Sequence, residues 1–308
     1  MNIEKFTHIC RLSQKDLKSF VVAELHKTHG ENVQIGDGFV YAQGVFPVML
    51  VAHMDTVHMA LPYKIECHGD ALSSPNGIGG DDRCGVYMIL EIVKKYNCSV
   101  LFCEDEEIGA VGAKKFTKAG IDINANYIIE LDRMGKNDAV FYDCDNADFE
   151  DFICQEFFKF AYGSFSDISV LAPHFGVAAV NLSCGYYCAH TKSEYVMMTE
   201  TDTVIGEVCK LLERTDEAHV FEYIPYRYTY RGDTTTETDW YNSHYDPDTL
   251  DEDGDLCFSI SYYSNDYSEN TEYVWANSDY EAIGKFVMYH SDIPFDFVYE
   301  VVEVGFDE

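Results

Sequence analysis

Between residues 46 and 132 the chain alternates short apolar runs with amphipathic stretches, and this alternation restricts its fold more than any other feature. FPVMLVAHMD, residues 46–55, is rich in strand formers and short, so it reads as a buried strand. CGVYMILEIVKKY, residues 84–96, has helical character. CSVLFCE returns to a strand, AVGAKKFTKAG to a helix closed by Gly120, and NYIIELD to a third strand. Strand and helix in regular succession describe an α/β fold: a mostly parallel central sheet sandwiched by helices. Upstream, SQKDLKSFVVAELHKTH (residues 13–29) has helical periodicity, with Ser13 as N-cap and Asp16 in a capping-box-like place. Downstream, DFEDFICQEFFKFAY reads as helix, VAAVNLS as a short strand, and ETDTVIGEVCKLLERT (residues 200–215) as a further helix.

From residue 216 onward the character changes. Here 23 acidic residues face only Arg227, Arg231 and Lys285, and tyrosines crowd YIPYRYTYRG and SISYYSNDYSENTEYVW. Alternating aromatic and polar residues predict antiparallel strands, and NSDYEAIGKFVMYH one helix. The expected organisation is therefore a domain over residues 1–215 and a small acidic, Tyr-rich α+β appendix over 216–308. DEDGD (residues 251–255) lacks the ligand spacing and closing Glu of a calcium loop and reads as an acidic turn.

Composition limits the partners. With 54 acidic against 21 basic residues the net charge is −33, which repels nucleic-acid phosphates and anionic headgroups, and no basic patch compensates. Neither nucleic acid nor membrane is expected. The N-terminal MNIEKFTHICRLSQKD lacks a basic stretch followed by an apolar one, and no run approaches the roughly 20 apolar residues of a membrane span, so a cytoplasmic location is expected. The 11 cysteines form no CxxC pair, and Cys103, Cys154 and Cys209 sit in apolar runs like reduced core thiols.

Candidate chemistry lies where the strands end. His53 and Asp55 close VMLVAHMD; Asp81 follows 26 residues after Asp55 in GIGGDDRCGV; Glu106 is 25 after Asp81; and Asp132, in IIELDR, is 25 after Glu107. Each interval is the length of one strand-helix-strand unit, and parallel strands bring their carboxyl ends to one edge where ligand sites form. So many carboxylates repel one another unless positive charge lies among them. Imidazole with carboxylate and no thiolate suits Zn²⁺, with Co²⁺ or Mn²⁺ as alternatives, and two metals about 3.5–4 Å apart need a bridging carboxylate. His190, in CAHTKSEYV, offers a second imidazole. Cys184 and Cys188 precede it at a spacing of four without a partner pair, which favours packing over ligation. His58 and His174 are weaker candidates, and Arg83 is expected to pair with a carboxylate.

HMDTV (53–57), GIGGDDRCGV (77–86), DEEIGAVGA (105–113), ELD (130–132) and HTKSEYV (190–196) together resemble the co-catalytic zinc exopeptidases, a group that includes peptidase T and the leucyl and glutamyl aminopeptidases. The resemblance spans roughly residues 50–200 in family order. It implies two divalent ions held by His53, Asp81, Glu107, Asp132 and His190, with Asp81 as the bridge and a cis peptide between Asp81 and Asp82. It also implies a catalytic pair. Glu106 would be the general base, and Asp55 would hydrogen-bond the far nitrogen of His53 and fix its tautomer. Glu104 and Asp105 are left as solvated or supporting groups. Only 58 residues separate Asp132 from His190, so no lid domain is inserted there, and single-domain aminopeptidases are the better architectural match. The implied activity is hydrolysis of small peptides by an aminopeptidase through a metal-activated water. The alternatives are a carboxypeptidase or deacylase of small amides, or an inactive metal-binding interaction protein. Assembly into oligomers is left open.

Overall fold

The computed structural model describes residues 1–216, 218–225, 256–263, 269–276, 286 and 298–303. In chain order the elements begin with α1 (Ile3–Cys10), α2 (Gln14–His29), β1 (Val33–Gly36), β2 (Phe39–Ala42), β3 (Phe46–His53), β4 (Glu66–His68) and β5 (Ala71–Ser73). Next come α3 (Gly80–Ile92), β6 (Cys98–Cys103), α4 (Val111–Lys118), β7 (Tyr127–Arg133), β8 (Asp138–Val140), α5 (Ala147–Ile153), β9 (Lys159–Phe160) and α6 (Ile168–Phe175). The described elements end with β10 (Ala179–Ser183), β11 (Tyr186–Tyr187), β12 (Tyr195–Met197), α7 (Met198–Arg214), β13 (Leu256–Tyr263), β14 (Glu269–Ala276) and β15 (Val298–Glu303).

Eight strands form the central sheet in the order β1-β2-β6-β3-β7-β10-β8-β9. Its middle four, β6-β3-β7-β10, are all parallel, while β1, β2 and β8 join antiparallel. Along β3 successive side chains point to opposite faces. Val48, Leu50 and Ala52 pack with α1, α2, α3, α5 and α7, whereas Met49 and Val51 pack with α4 and α6. Burial on both faces accounts for the unbroken apolar runs of β3, β6 and β7. Among the described residues no helix is long and apolar enough to cross a membrane.

Ser13 caps α2 as its sequence suggests: its Oγ accepts from the Asp16 N–H at 3.1 Å, and Leu17, Val21 and Leu25 form the buried stripe. α3 is kinked at its head, where Asp81 and Asp82 have non-helical backbone; its regular part follows Asp82, whose carboxylate accepts the Gly85 N–H at 2.8 Å as the cap, close to the expected start at residue 84. One element departs from expectation. The helix expected over 148–162 stops at Ile153, and Lys159–Phe160 become the edge strand β9. There Lys159 N–H and Ala161 N–H donate to Asn137 and Ala139 carbonyls at 2.8 and 2.9 Å, and Phe160 stacks on Phe141. Pairing with β8 overrides a pattern that spacing alone assigns to a helix.

A smaller antiparallel sheet, β11-β12-β5-β4, carries the His190 segment between β11 and β12. The chain divides into two compact units, Met1–Tyr162 with Ser166–Tyr226, and Gly163–Phe165 with Arg227–Glu308. In the second, β13 pairs antiparallel with β14 and β15, and Phe258, Ile260, Tyr262 and Phe286 form its core. Apart from Phe286, the helix expected over 277–290 lies outside the described residues, as does the acidic turn at 251–255.

α3 lies hard against β7. A Cβ on Gly85 would come 1.8 Å from the Leu131 carbonyl oxygen and 2.5 Å from Asp82 Oδ1. Backbone cannot yield to that contact, so Gly85→Ala is expected to destabilise the fold by about 1–3 kcal/mol, read from the chemical denaturation midpoint.

Candidate metal centre

The carboxyl ends of the parallel strands converge as their topology requires. His53 ends β3, Asp132 is the last residue but one of β7, and Glu106 and Glu107 follow β6. Asp81 enters from the start of α3, where the Asp81–Asp82 peptide is cis. His190 arrives from the β11–β12 connection with a left-handed backbone, φ 61°.

Two three-residue groups result, each compact enough to hold a metal ion, and they share Asp81. One is His53, Asp81 and Asp132; the other is Asp81, Glu107 and His190. Asp81 Oδ1 lies 3.1 Å from His53 Nε2, and Asp81 Oδ2 lies 3.1 Å from His190 Nε2. Asp132 Oδ1 is 3.2 Å from His53 Nε2, and Glu107 Oε2 is 3.1 Å from His190 Nε2. One carboxylate thus turns one oxygen to each imidazole.

The surroundings aim these groups. His53 Nδ1 lies 3.1 Å from Asp55 Oδ1, and the same Asp55 carboxylate accepts the N–H groups of Glu106 and Glu107 at 3.0 and 3.1 Å. Asp55 therefore joins the end of β3 to the loop after β6. Asp82 accepts the His53 N–H at 3.1 Å while capping α3. Asp132 is fixed at both backbone atoms: its N–H donates to Asn181 Oδ1 at 3.0 Å, and its carbonyl accepts the Tyr186 hydroxyl at 2.7 Å. Glu104 and Asp105 serve the scaffold, bonding Lys18 Nζ at 2.6 Å and Gln14 Nε2 at 3.0 Å on α2.

Electrostatics give the cluster its chemical character. Burial alone disfavours a protonated His53, but the charge of Asp132, with hydrogen bonds to Asp132, Asp55 and Asp81, outweighs it and raises the ring well above the usual imidazole range. His190 is raised to about 11 by its hydrogen bonds to Asp81 and Glu107. Burial works against an ionised Asp81, yet the two imidazoles hold its carboxyl well below the usual range. Burial pushes Asp132 up to about 7 and Glu106 up to about 9, and for Glu106 the charges of Asp132, Asp167 and Glu107 add to the rise while His53 opposes it.

This donor set suits a divalent cation. Asp55 is an ionised acceptor, so the Nδ1 of His53 donates, and a neutral ring turns its Nε2 lone pair toward carboxylate oxygens of Asp81 and Asp132. Such atoms in contact repel unless a proton or a metal lies between them. Glu107 Oε1 is also buried with no hydrogen-bond partner. Two imidazoles and three carboxylates without thiolate fit zinc, cobalt or manganese.

The remaining sequence candidates fall elsewhere. His174 lies on the exposed last turn of α6, outside both groups. Cys184 is buried and Cys188 exposed, and neither joins them. Arg83 departs from expectation: it is buried, pairs with no carboxylate among the described residues, and leaves Nε and Nη1 unpartnered. Its charge acts on Asp55 and Asp82 without a direct contact. His58 Nε2 instead meets Glu194 at 2.7 Å.

Several contributors escaped the sequence reading. Behind Asp132 lies a buried polar layer of Glu130, Ser166, Asp167 and Asn181, in which the Ser166 hydroxyl bonds Glu130 and Asn181 Nδ2 donates to the Tyr142 hydroxyl at 3.1 Å. Asn181 and Glu130 left a trace, as polar residues inside apolar strand runs that burial obliges to find partners. Ser166 and Asp167, in a polar loop, left none.

No family model matches the chain, and no curated protein matches it. Solved structures do. Aminopeptidase PepT from Bacillus cereus superposes with a TM-score of 0.53 at 16% identity, covering 68% of this chain and 97% of that one. A tripeptidase from Staphylococcus aureus gives 0.54 at 13%, covering 68% and 96%. An aminopeptidase from the archaeon Desulfurococcus kamchatkensis gives 0.55 at 17%, covering 71% and 96%. The chain has the fold of these peptidases.

Proposed function

We propose that the protein is a metal-dependent exopeptidase, an aminopeptidase acting on small peptides, with two divalent ions held by His53, Asp81, Asp132, Glu107 and His190. The observation that carries this reading is the division of Asp81 between two imidazole-containing groups, beside a half-buried Glu106 that ligates in neither. Zinc, or cobalt or manganese in its place, would supply Lewis acidity, polarising a peptide carbonyl and acidifying water. The chain's own residues do the rest. Glu106 takes a proton from the attacking water and delivers it to the leaving amine. Asp55 holds the His53 tautomer and the Glu106–Glu107 backbone together, so base and ligands keep a fixed relation. The shared fold of the superposed aminopeptidases and tripeptidase supports the same reading.

The test is turnover of a dipeptide and tripeptide library by metal-loaded protein, analysed by mass spectrometry. Release of the N-terminal residue from free peptides, with N-acetylated counterparts untouched, is the expected result. Cleavage of blocked peptides from their C-terminus, or of acyl groups, would assign a carboxypeptidase or deacylase instead. Absence of hydrolysis at full metal occupancy would leave a binding protein.

A further inference from the structure

His190 is the exposed member of the cluster. Its side chain is 57% accessible, and residues 190–193 are all exposed, so the loop has little packing of its own to hold the imidazole in place. Four residues on, the Glu194 side chain is completely buried. A buried carboxylate is costly unless its oxygens are hydrogen-bonded, and the partners of Glu194 are specific. Oε1 accepts the Asp81 N–H at 3.0 Å; Oε2 accepts the Gly79 N–H at 2.7 Å and lies 2.7 Å from His58 Nε2. Two of these donors belong to the segment that presents Asp81.

Packing reinforces the tie. A Cβ on Gly80 would come within 2.8 Å of both Tyr186 Cβ and Val196 Cγ2, so this segment presses on the strands flanking the His190 loop. The β12–β5 ladder starts at the next residue, pairing Tyr195 with Ser73. The other imidazole needs no such help: His53 is anchored by β3, Asp55 and Asp82.

We propose that Glu194 is a positioning residue that docks the His190 loop onto the Asp81 segment and thereby sets the Asp81–Glu107–His190 group, leaving the His53–Asp81–Asp132 group to its own anchors. The inference rests on the two-cation reading above. It requires one binding event, not both, to depend on Glu194.

Calorimetric titration of Zn²⁺ into metal-stripped full-length protein tests it, with Glu194→Gln, His190→Ala and the double variant. Glu194→Gln is expected to weaken one of two binding events by about ten- to a hundredfold and to leave the other unchanged. Added to His190→Ala it should have no further effect, since both changes act on the same group. Glu194→Asp, which withdraws the carboxylate by one methylene, is held to the same outcome should the Gln variant not fold. Equal weakening of both events, no weakening, additive losses in the double variant, or failure of both variants to fold would each overturn the inference. Uptake of fewer than two ions by the unaltered protein would instead overturn the two-cation reading, and with it this one.

Discussion

Glu106→Gln is expected to lower kcat by about a hundred- to ten-thousandfold while leaving metal content and thermal stability near those of the parent protein. The amide has the shape of the carboxylate but cannot take up a proton, so only proton transfer is removed. Glu106 occupies the right place for such a separation. Its backbone N–H is fixed by Asp55 Oδ1 at 3.0 Å, and the adjoining Glu107 faces His190 while Glu106 belongs to neither metal-holding group. Burial, with the charges of Asp132, Asp167 and Glu107, raises Glu106 to about 9. Cations beside those same carboxylates would offset their charge and bring the base back toward neutrality, where general bases are most effective. Glu107→Gln is the contrast: it should lose bound metal together with activity. Mass spectrometry of metal content alongside steady-state kinetics distinguishes the two. A Glu106→Gln enzyme within tenfold of the parent kcat would remove Glu106 from the mechanism.

Much of this arrangement is legible in the amino-acid sequence, and the reason is geometric. In a parallel sheet buried on both faces, each strand is an apolar run that can stop only where its carboxyl end reaches polar surroundings. His53, Asp132 and the Glu106–Glu107 pair stand at those stops, so their convergence follows from the strand-helix rhythm alone. Glu194 is different. It reaches Gly79 and Asp81 across 115 and 113 residues, from a loop with no periodicity. The strands β4, β5, β11 and β12 are two or three residues long, too short for alternation to declare itself. The helix expected over 148–162 holds only to Ile153 for another reason: its spacing continues the helical pattern, but the backbone partners on β8 draw Lys159–Phe160 into a strand. Asp82 lies between these cases. A second acid beside Asp81 was visible as a motif, but its work, accepting the His53 and Gly85 N–H groups, depends on α3 and β3 meeting.

Stripping the metals should make stability depend on pH in a direction the cluster dictates. His190, at about 11, and His53, raised well above the imidazole range, are stabilised when charged by the carboxylates they face; that contribution is full below about 6.5 and is lost as pH rises toward the folded values. Asp132 at about 7 and Glu106 at about 9 are carboxyls that the folded chain keeps protonated where the unfolded chain does not, so they too cost stability as pH rises through those values. Asp81 and Asp55, held low, lose their contribution only as pH falls below the ordinary carboxylate range, outside this window. From pH 6 to 9 the shifted groups of the cluster that titrate therefore act in one direction, and the metal-free melting temperature should fall. Divalent metals bind the deprotonated ligands, so their affinity strengthens over the same interval. The gap between loaded and stripped protein is expected to widen with pH. A thousandfold excess of metal over Kd contributes about 4 kcal/mol, or roughly 10 °C in a domain of this size. Differential scanning calorimetry with and without chelator, at steps from pH 6 to 9, measures it. A gap that narrows with rising pH, or one absent with zinc, cobalt and manganese alike, would show that protons rather than metals fill the space around Asp81.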